Sequence, residues 1–92
     1  MPRFRIPGPL RRLSNGEITV EVGGADLASA IGALDERYPG FRDRLLDDKG
    51  DLRQFVNVYL NDEDVRYLQK DATAVKDSDS ISIVPSIAGG LN

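Results

Sequence analysis

The sequence predicts an α+β fold, a mixed sheet of about five strands wrapped on one main helix, and three observations carry that prediction. Short runs near the start, at 17–22, at 55–60 and at 80–84 have the polar–apolar alternation or the β-branched and aromatic content of strands. One segment, 26–38, carries a single apolar stripe at helical spacing. One helix can cover only one face of a sheet, so a strand–strand–helix–strand–strand–strand order describes a sheet with one covered face and one open to partners or water.

Taken in order, Phe4 and Ile6 alternate with Arg3 and Arg5, which predicts a first strand with an inward apolar face. Pro7-Gly8-Pro9 breaks or bends it, after which Leu10 and Leu13 pack while Arg11 and Arg12 reach water. Asn15-Gly16 is a strong hairpin signal, because both residues tolerate positive φ. Glu17 to Val22 alternates strictly, so Ile18, Val20 and Val22 are expected in the core. Either Asp26 or Gly24 caps the helix that follows, with Leu27, Ile31, Leu34 and Tyr38 on its buried stripe. Pro39-Gly40 stops it, and Phe41 to Asp47 allows one more helical turn with Phe41, Leu45 and Leu46 inward.

A polar loop at 47–51 leads to the strand Phe55 to Leu60, rich in β-branched and aromatic residues. Asn61-Asp62-Glu63-Asp64 turns the chain, and Val65 to Leu68 reads as a short returning strand. The acidic turn lacks the glycine and terminal glutamate of a calcium loop, so no metal site is expected there. Asp71 to Val75 is irregular or a single helical turn; Lys76-Asp77-Ser78-Asp79 is a tight turn into the last strand, Ser80 to Val84. With a right-handed crossover the last strand lies beside the first in the middle of the sheet. That is the β-grasp, or ubiquitin-like, arrangement. It divides the chain into a domain at 1–84 and a flexible C-terminal tail at 85–92.

Composition narrows the function. The 92 residues are 40% hydrophobic and 29% charged, as in ordinary globular domains. No apolar run approaches the roughly 20 residues that span a bilayer, and no apolar segment follows the N-terminal arginines as in a signal peptide. A cytoplasmic protein with no membrane partner is expected. The chain has neither cysteine nor histidine. That excludes Cys–His and Ser–His nucleophilic pairs and zinc sites of the Cys/His kind. So small a domain also has little room for a deep pocket, and a binding or carrier module is expected rather than an enzyme. The net charge is −3, but Arg3, Arg5, Arg11 and Arg12 precede the first acid, and eight basic residues face fifteen acidic ones from residue 13 onward. The acidic body argues against nucleic acid as a partner. The four arginines are either the solvent side of a first strand or a basic contact patch.

The close, Pro85-Ser86-Ile87-Ala88-Gly89-Gly90-Leu91-Asn92, suits a different task from packing. Two glycines lose more entropy on ordering than any other pair and add no side chain to a core. They suit a backbone that enters a narrow slot and presents an acyl group to another protein. From Pro85 to Gly90 an extended chain reaches about 20 Å.

The run Phe55-Val56-Asn57-Val58-Tyr59-Leu60-Asn61, the turn Lys76-Asp77-Ser78-Asp79 and the close Ile83 to Gly90 resemble the ubiquitin-like sulfur carriers. That family includes the small subunit of molybdopterin synthase and the thiamine-pathway sulfur carrier. With Asn61 to Arg66 added, the chain looks closest to the CysO-type carriers of thiocarboxylate-dependent cysteine synthesis. The resemblance implies that an adenylating enzyme of the ubiquitin-activating type, using ATP and Mg, activates the terminal glycine carboxylate. A sulfur donor then leaves a thiocarboxylate, which a biosynthetic enzyme consumes. Carried onto this chain, Gly90 is the acyl residue. Gly89, with Ala88 and Ile87, forms the passage, Ile87 acting as a short-range anchor. The carrier itself binds no cofactor and supplies no catalytic side chain.

The departure from the family pattern is Leu91-Asn92, which places the Gly90 carbonyl in a peptide bond. The expectation is a precursor from which a processing peptidase removes Leu91 and Asn92. Residues foreign to the native chain, or a protein that has lost carrier chemistry, are the other two accounts. A protein modifier joined to lysines through Gly90 needs the same activated tail. An interaction module that never uses its tail would tolerate Gly90→Ala. Sulfur acceptors in molybdopterin, thiamine or secondary-metabolite synthesis stand beside cysteine synthesis. Docking is expected on the exposed sheet face near the tail, with Phe55, Val58, Leu60 and Arg11 as candidate contacts. Strand register decides which residues lie there.

Overall fold

Alternation of Phe4 and Ile6 with arginines produces a strand, β1 (Arg3–Arg5), with Phe4 and Ile6 buried. The structure, a computed structural model, describes residues 1–54, 56–69 and 72–85. The remaining strands are β2 (Thr19–Glu21), β3 (Val56–Leu60), β4 (Glu63–Asp64) and β5 (Ser80–Pro85). Two helices, α1 (Leu27–Arg37) and α2 (Phe41–Leu45), lie between β2 and β3. The sheet order is β2-β1-β5-β3-β4. β5 is central, parallel to β1 (Arg5 opposite Ser82) and antiparallel to β3 (Val58 opposite Ile83). This is the predicted β-grasp arrangement.

Asp26 is the cap of α1: its side chain accepts a hydrogen bond from the Ser29 amide at 2.8 Å. Gly24 has a different task. Its φ is +141°, and a Cβ there would lie 2.7 Å from the Ala30 nitrogen, so the loop can enter α1 this closely only through glycine. Leu27, Ala30, Ile31 and Leu34 bury the helix stripe, and Tyr38 packs partly buried against the same core. Asp35 joins the helices, its Oδ1 accepting from the amides of Gly40 at 3.0 Å and Arg42 at 3.1 Å. α2 adds Phe41 and Leu45, both fully buried, and each such side chain is worth about 1.5–3 kcal/mol.

Asn15 and Gly16 adopt positive φ, +57° and +88°, and β1 and β2 pair antiparallel as the opening hairpin. The two residues close a longer connection that includes a 3-10 turn at Gly8–Leu10. The loop is held by the buried Ser14, whose Oγ reaches the carbonyls of Arg11 at 3.1 Å and Glu17 at 2.7 Å. Three expectations are corrected. Ile18 is not core; the chain bends there and leaves it 53% exposed. Val65 to Leu68 is not a strand. The returning strand is Glu63–Asp64, paired with Leu60 and Tyr59, and Val65–Tyr67 is a 3-10 turn. The Asp64 side chain accepts from the Arg66 amide at 2.9 Å and starts that turn. The final ladder also runs one residue past the expected boundary, to Pro85 opposite Val56.

The turn before β5 is tied to the β3–β4 turn. Asp79 accepts from the Lys76 amide at 2.8 Å and from Asn61 Nδ2 at 3.1 Å. Its carboxyl is held below the ordinary value of 3.8, first by the Lys76 bond and then by Asn61. Asp26 is lowered likewise by its bonds to Ser29. Depressed carboxyls stabilise the fold above the unfolded-state value, and that contribution is lost as pH falls through the folded-state value. With no histidine to titrate, the thermal midpoint should stay flat from about pH 8 to about pH 5 and fall below about pH 4. Asp79→Asn should lower the neutral plateau and make the acid limb shallower, as read by melts across pH.

Candidate functional site: the root of the tail

The last described residue is Pro85, the end of the central strand, which lies between β1 and β3. Residues Ile87, Ala88, Gly89, Gly90 and Leu91, and the candidate contact Phe55, lie outside the described residues. What the structure defines is the platform from which the tail departs.

Arg66 fixes that platform. Its guanidinium donates to the Arg53 carbonyl at 2.7 Å, the Val56 carbonyl at 2.6 Å and Asn57 Oδ1 at 2.8 Å. It therefore ties together the start of β3, whose Val56 faces Pro85. Only a planar fork can serve several acceptors in this way. Arg66→Ala should lower stability by about 2–3 kcal/mol, with little recovery in Arg66→Lys, as measured by denaturant unfolding.

Two concavities flank the root. On the helix side a cleft of about 450 Å³ lies among Leu10, Arg44, Arg53, Val56 and Pro85. On the outer face a depression of about 200 Å³ lies among Arg5, Pro7, Arg11, Ile18 and Ser82. Across the outer face, register places Thr19, Arg5, Ser82 and Tyr59 in one row.

Strand parity corrects two candidate contacts. Val58 is fully buried, and Leu60, two residues on, packs partly buried against the same core. Both face the helix, so neither is the open-face contact expected of them, and the outward residues of β3 are Asn57 and Tyr59. Arg11 is half-buried; its Nε donates to the Ile6 carbonyl at 3.0 Å, which seats it at the outer depression. Sequence reasoning missed Ile18 and Val84, which are exposed, and the Arg66 clamp. The one available signal for Arg66 was a lone cation following three acids.

Among the described residues there is no group of acidic side chains able to hold a metal ion, and no helix long and apolar enough to cross a membrane. A central β5 flanked by parallel β1 and antiparallel β3 defines a protein of the ubiquitin-like β-grasp class. The chain belongs to the ThiS family, whose model matches residues 4–90. It is 44% identical over 87 residues to the sulfur carrier protein CysO of Mycobacterium tuberculosis, spanning 92% of this chain and 94% of that one. It is 36% identical over 66 residues to small archaeal modifier protein 3 of Haloferax volcanii, spanning 72% and 71%. A chain in the crystal structure of the Amycolatopsis orientalis BexX/CysO complex superposes with a TM-score of 0.91 at 39% identity, covering 98% of this chain and all of the other. These relatives are small carriers and modifiers rather than enzymes.

Proposed function

We propose that this protein is a cytoplasmic sulfur carrier that works through Gly90 once the chain is cut between Gly90 and Leu91. The observation that carries the reading is the near full-length likeness to a CysO sulfur carrier, together with a family match that runs to Gly90. In the proposed cycle the Gly90 carboxylate attacks the α-phosphorus of Mg-bound ATP on an adenylating enzyme, forming an acyl adenylate and releasing pyrophosphate. A sulfur donor then attacks the acyl carbon; the C–S bond forms, the C–O bond to AMP breaks, and a thiocarboxylate is left. A biosynthetic enzyme takes the sulfur, and cysteine synthesis is the acceptor pathway this reading favours.

The chemistry explains the chain's sparse equipment. An acyl adenylate hydrolyses in water, so the enzyme's slot must close around it. A Cβ at residue 89 or 90 would widen the part that has to pass. With no cysteine or histidine in the chain, the carrier has no thiol or imidazole of its own to attack the activated end. A processing peptidase is the third partner, because Leu91 blocks the carboxylate.

The test is the intact mass of the protein recovered from its own source. The expected species ends at Gly90 with one oxygen replaced by sulfur. A mass that always retains Leu91 would overturn the reading. The likeness to a small archaeal modifier supports a second reading, conjugation to lysines through Gly90. That reading predicts isopeptide-linked adducts that survive denaturation and thiols, and a carrier leaves none.

A further inference from the structure

We infer that the outer depression beside the tail root is a docking seat for an acidic patch on the adenylating enzyme, a patch centred on one apolar side chain. This rests on the carrier reading. Ile18 is the starting observation. Strict alternation from Glu17 to Val22 would put it in the core with Val20, yet the chain bends and leaves it 53% exposed among Arg5, Pro7, Arg11 and Ser82. Ile18 thereby forgoes the burial that Val20, two residues on, obtains. Val84, 44% exposed, lies on the same face of β5 as Ser82, one residue before the tail root.

Charge specifies the occupant. Arg5 projects outward from β1, and half-buried Arg11, bonded through Nε to the Ile6 carbonyl, lines the depression with it. Neither has an ion-pair partner among the described residues. The nearby acids, Glu17 and Glu21, sit along the β2 side of this face and pair with neither arginine. An unneutralised basic rim on a chain of net charge −3 complements carboxylates. The depression, about 200 Å³, is smaller than the roughly 300–1,000 Å³ of small-molecule pockets. It has room for a protein side chain and not for a cofactor. The position also fits, because a surface seated here is next to the strand end from which the tail departs.

The test uses the chain cut after Gly90 and the adenylating enzyme of its own source, with ATP–pyrophosphate exchange as the readout. Arg5→Glu and Ile18→Ser should each raise KM for the carrier about tenfold with kcat unchanged. Wild-type KM should rise with added salt, and the Arg5→Glu variant should lose most of that dependence. Lys76→Glu makes the same change in net charge at the far end of β5 and should leave KM as it was. Melting curves confirm that the variants are folded. Wild-type exchange with unaltered KM in Arg5→Glu and Ile18→Ser would overturn the seat and leave the carrier standing. An effect of equal size in Lys76→Glu would also overturn it, by showing a response to net charge alone. No exchange by the wild-type chain would remove the carrier reading and this inference with it.

Discussion

Gly90→Ala is expected to cut acyl-adenylate formation by about 10²-fold or more while leaving the thermal midpoint unchanged. The described ladder ends at Pro85 and the buried core lies before it, so Gly90→Ala changes no side chain of that core. On the proposed reading the added methyl group enters the place where the acyl group must approach the reacting phosphorus. A misplacement of about 1 Å at a reacting centre can cost about 10²-fold in rate. The measurement is exchange kinetics on chains cut after residue 90, beside melting curves. Full activity in the variant would show that a Cβ at residue 90 is tolerated and would remove the steric reason for glycine there, whereas no exchange even by the Gly90 chain would leave an interaction module.

Val58→Asp is expected to leave no folded protein at neutral pH. Val58 is fully exposed to core and not at all to solvent, on the strand that pairs with β5. An uncompensated buried charge costs about 3–5 kcal/mol, against about 5–15 kcal/mol of total stability in a domain. Tyr59→Asp, one residue along and on the open face, should melt near the wild-type temperature. Circular dichroism of the pair decides the matter. If Val58→Asp folded normally, the strand would have its faces exchanged, and Val58 would return as a docking contact.

The sheet order was legible because each long element carries its own period. The stripe of Leu27, Ile31 and Leu34 and the alternation of Ser80 to Val84 define their buried faces without any tertiary knowledge. Phe55 to Leu60 was legible as a strand but not as a face. Val, Tyr and Leu are all apolar enough for either side, so only pairing with β5 assigns Val58 and Leu60 inward. Ile18 was misread for a related reason. Alternation holds only while the backbone stays extended, and a bend just before the strand's first residue reverses the side. β4, two residues long, is shorter than any pattern window. The Arg66 clamp joins residues nine to thirteen apart in sequence through one side-chain amide oxygen and two backbone carbonyls, and composition cannot signal such bonds. The tail is a different case: Ala88-Gly89-Gly90 reads as poor packing material in the sequence, and it lies outside the described residues.

The central place of β5 has a mechanical consequence. An enzyme that grips the chain beyond Pro85 pulls along the axis of this strand. β5 is laced to β1 on one side and to β3 on the other. Such a load falls on both ladders in shear, so many backbone hydrogen bonds must give way together, rather than one after another as in a hairpin peeled from its end. At about 0.5–1.5 kcal/mol net for each bond, the resistance is cooperative. A partner can thus hold the end under tension, or draw it deeper, without unravelling the body that brought it. By contrast β4, with two residues at the sheet's edge, would peel under a small fraction of that force.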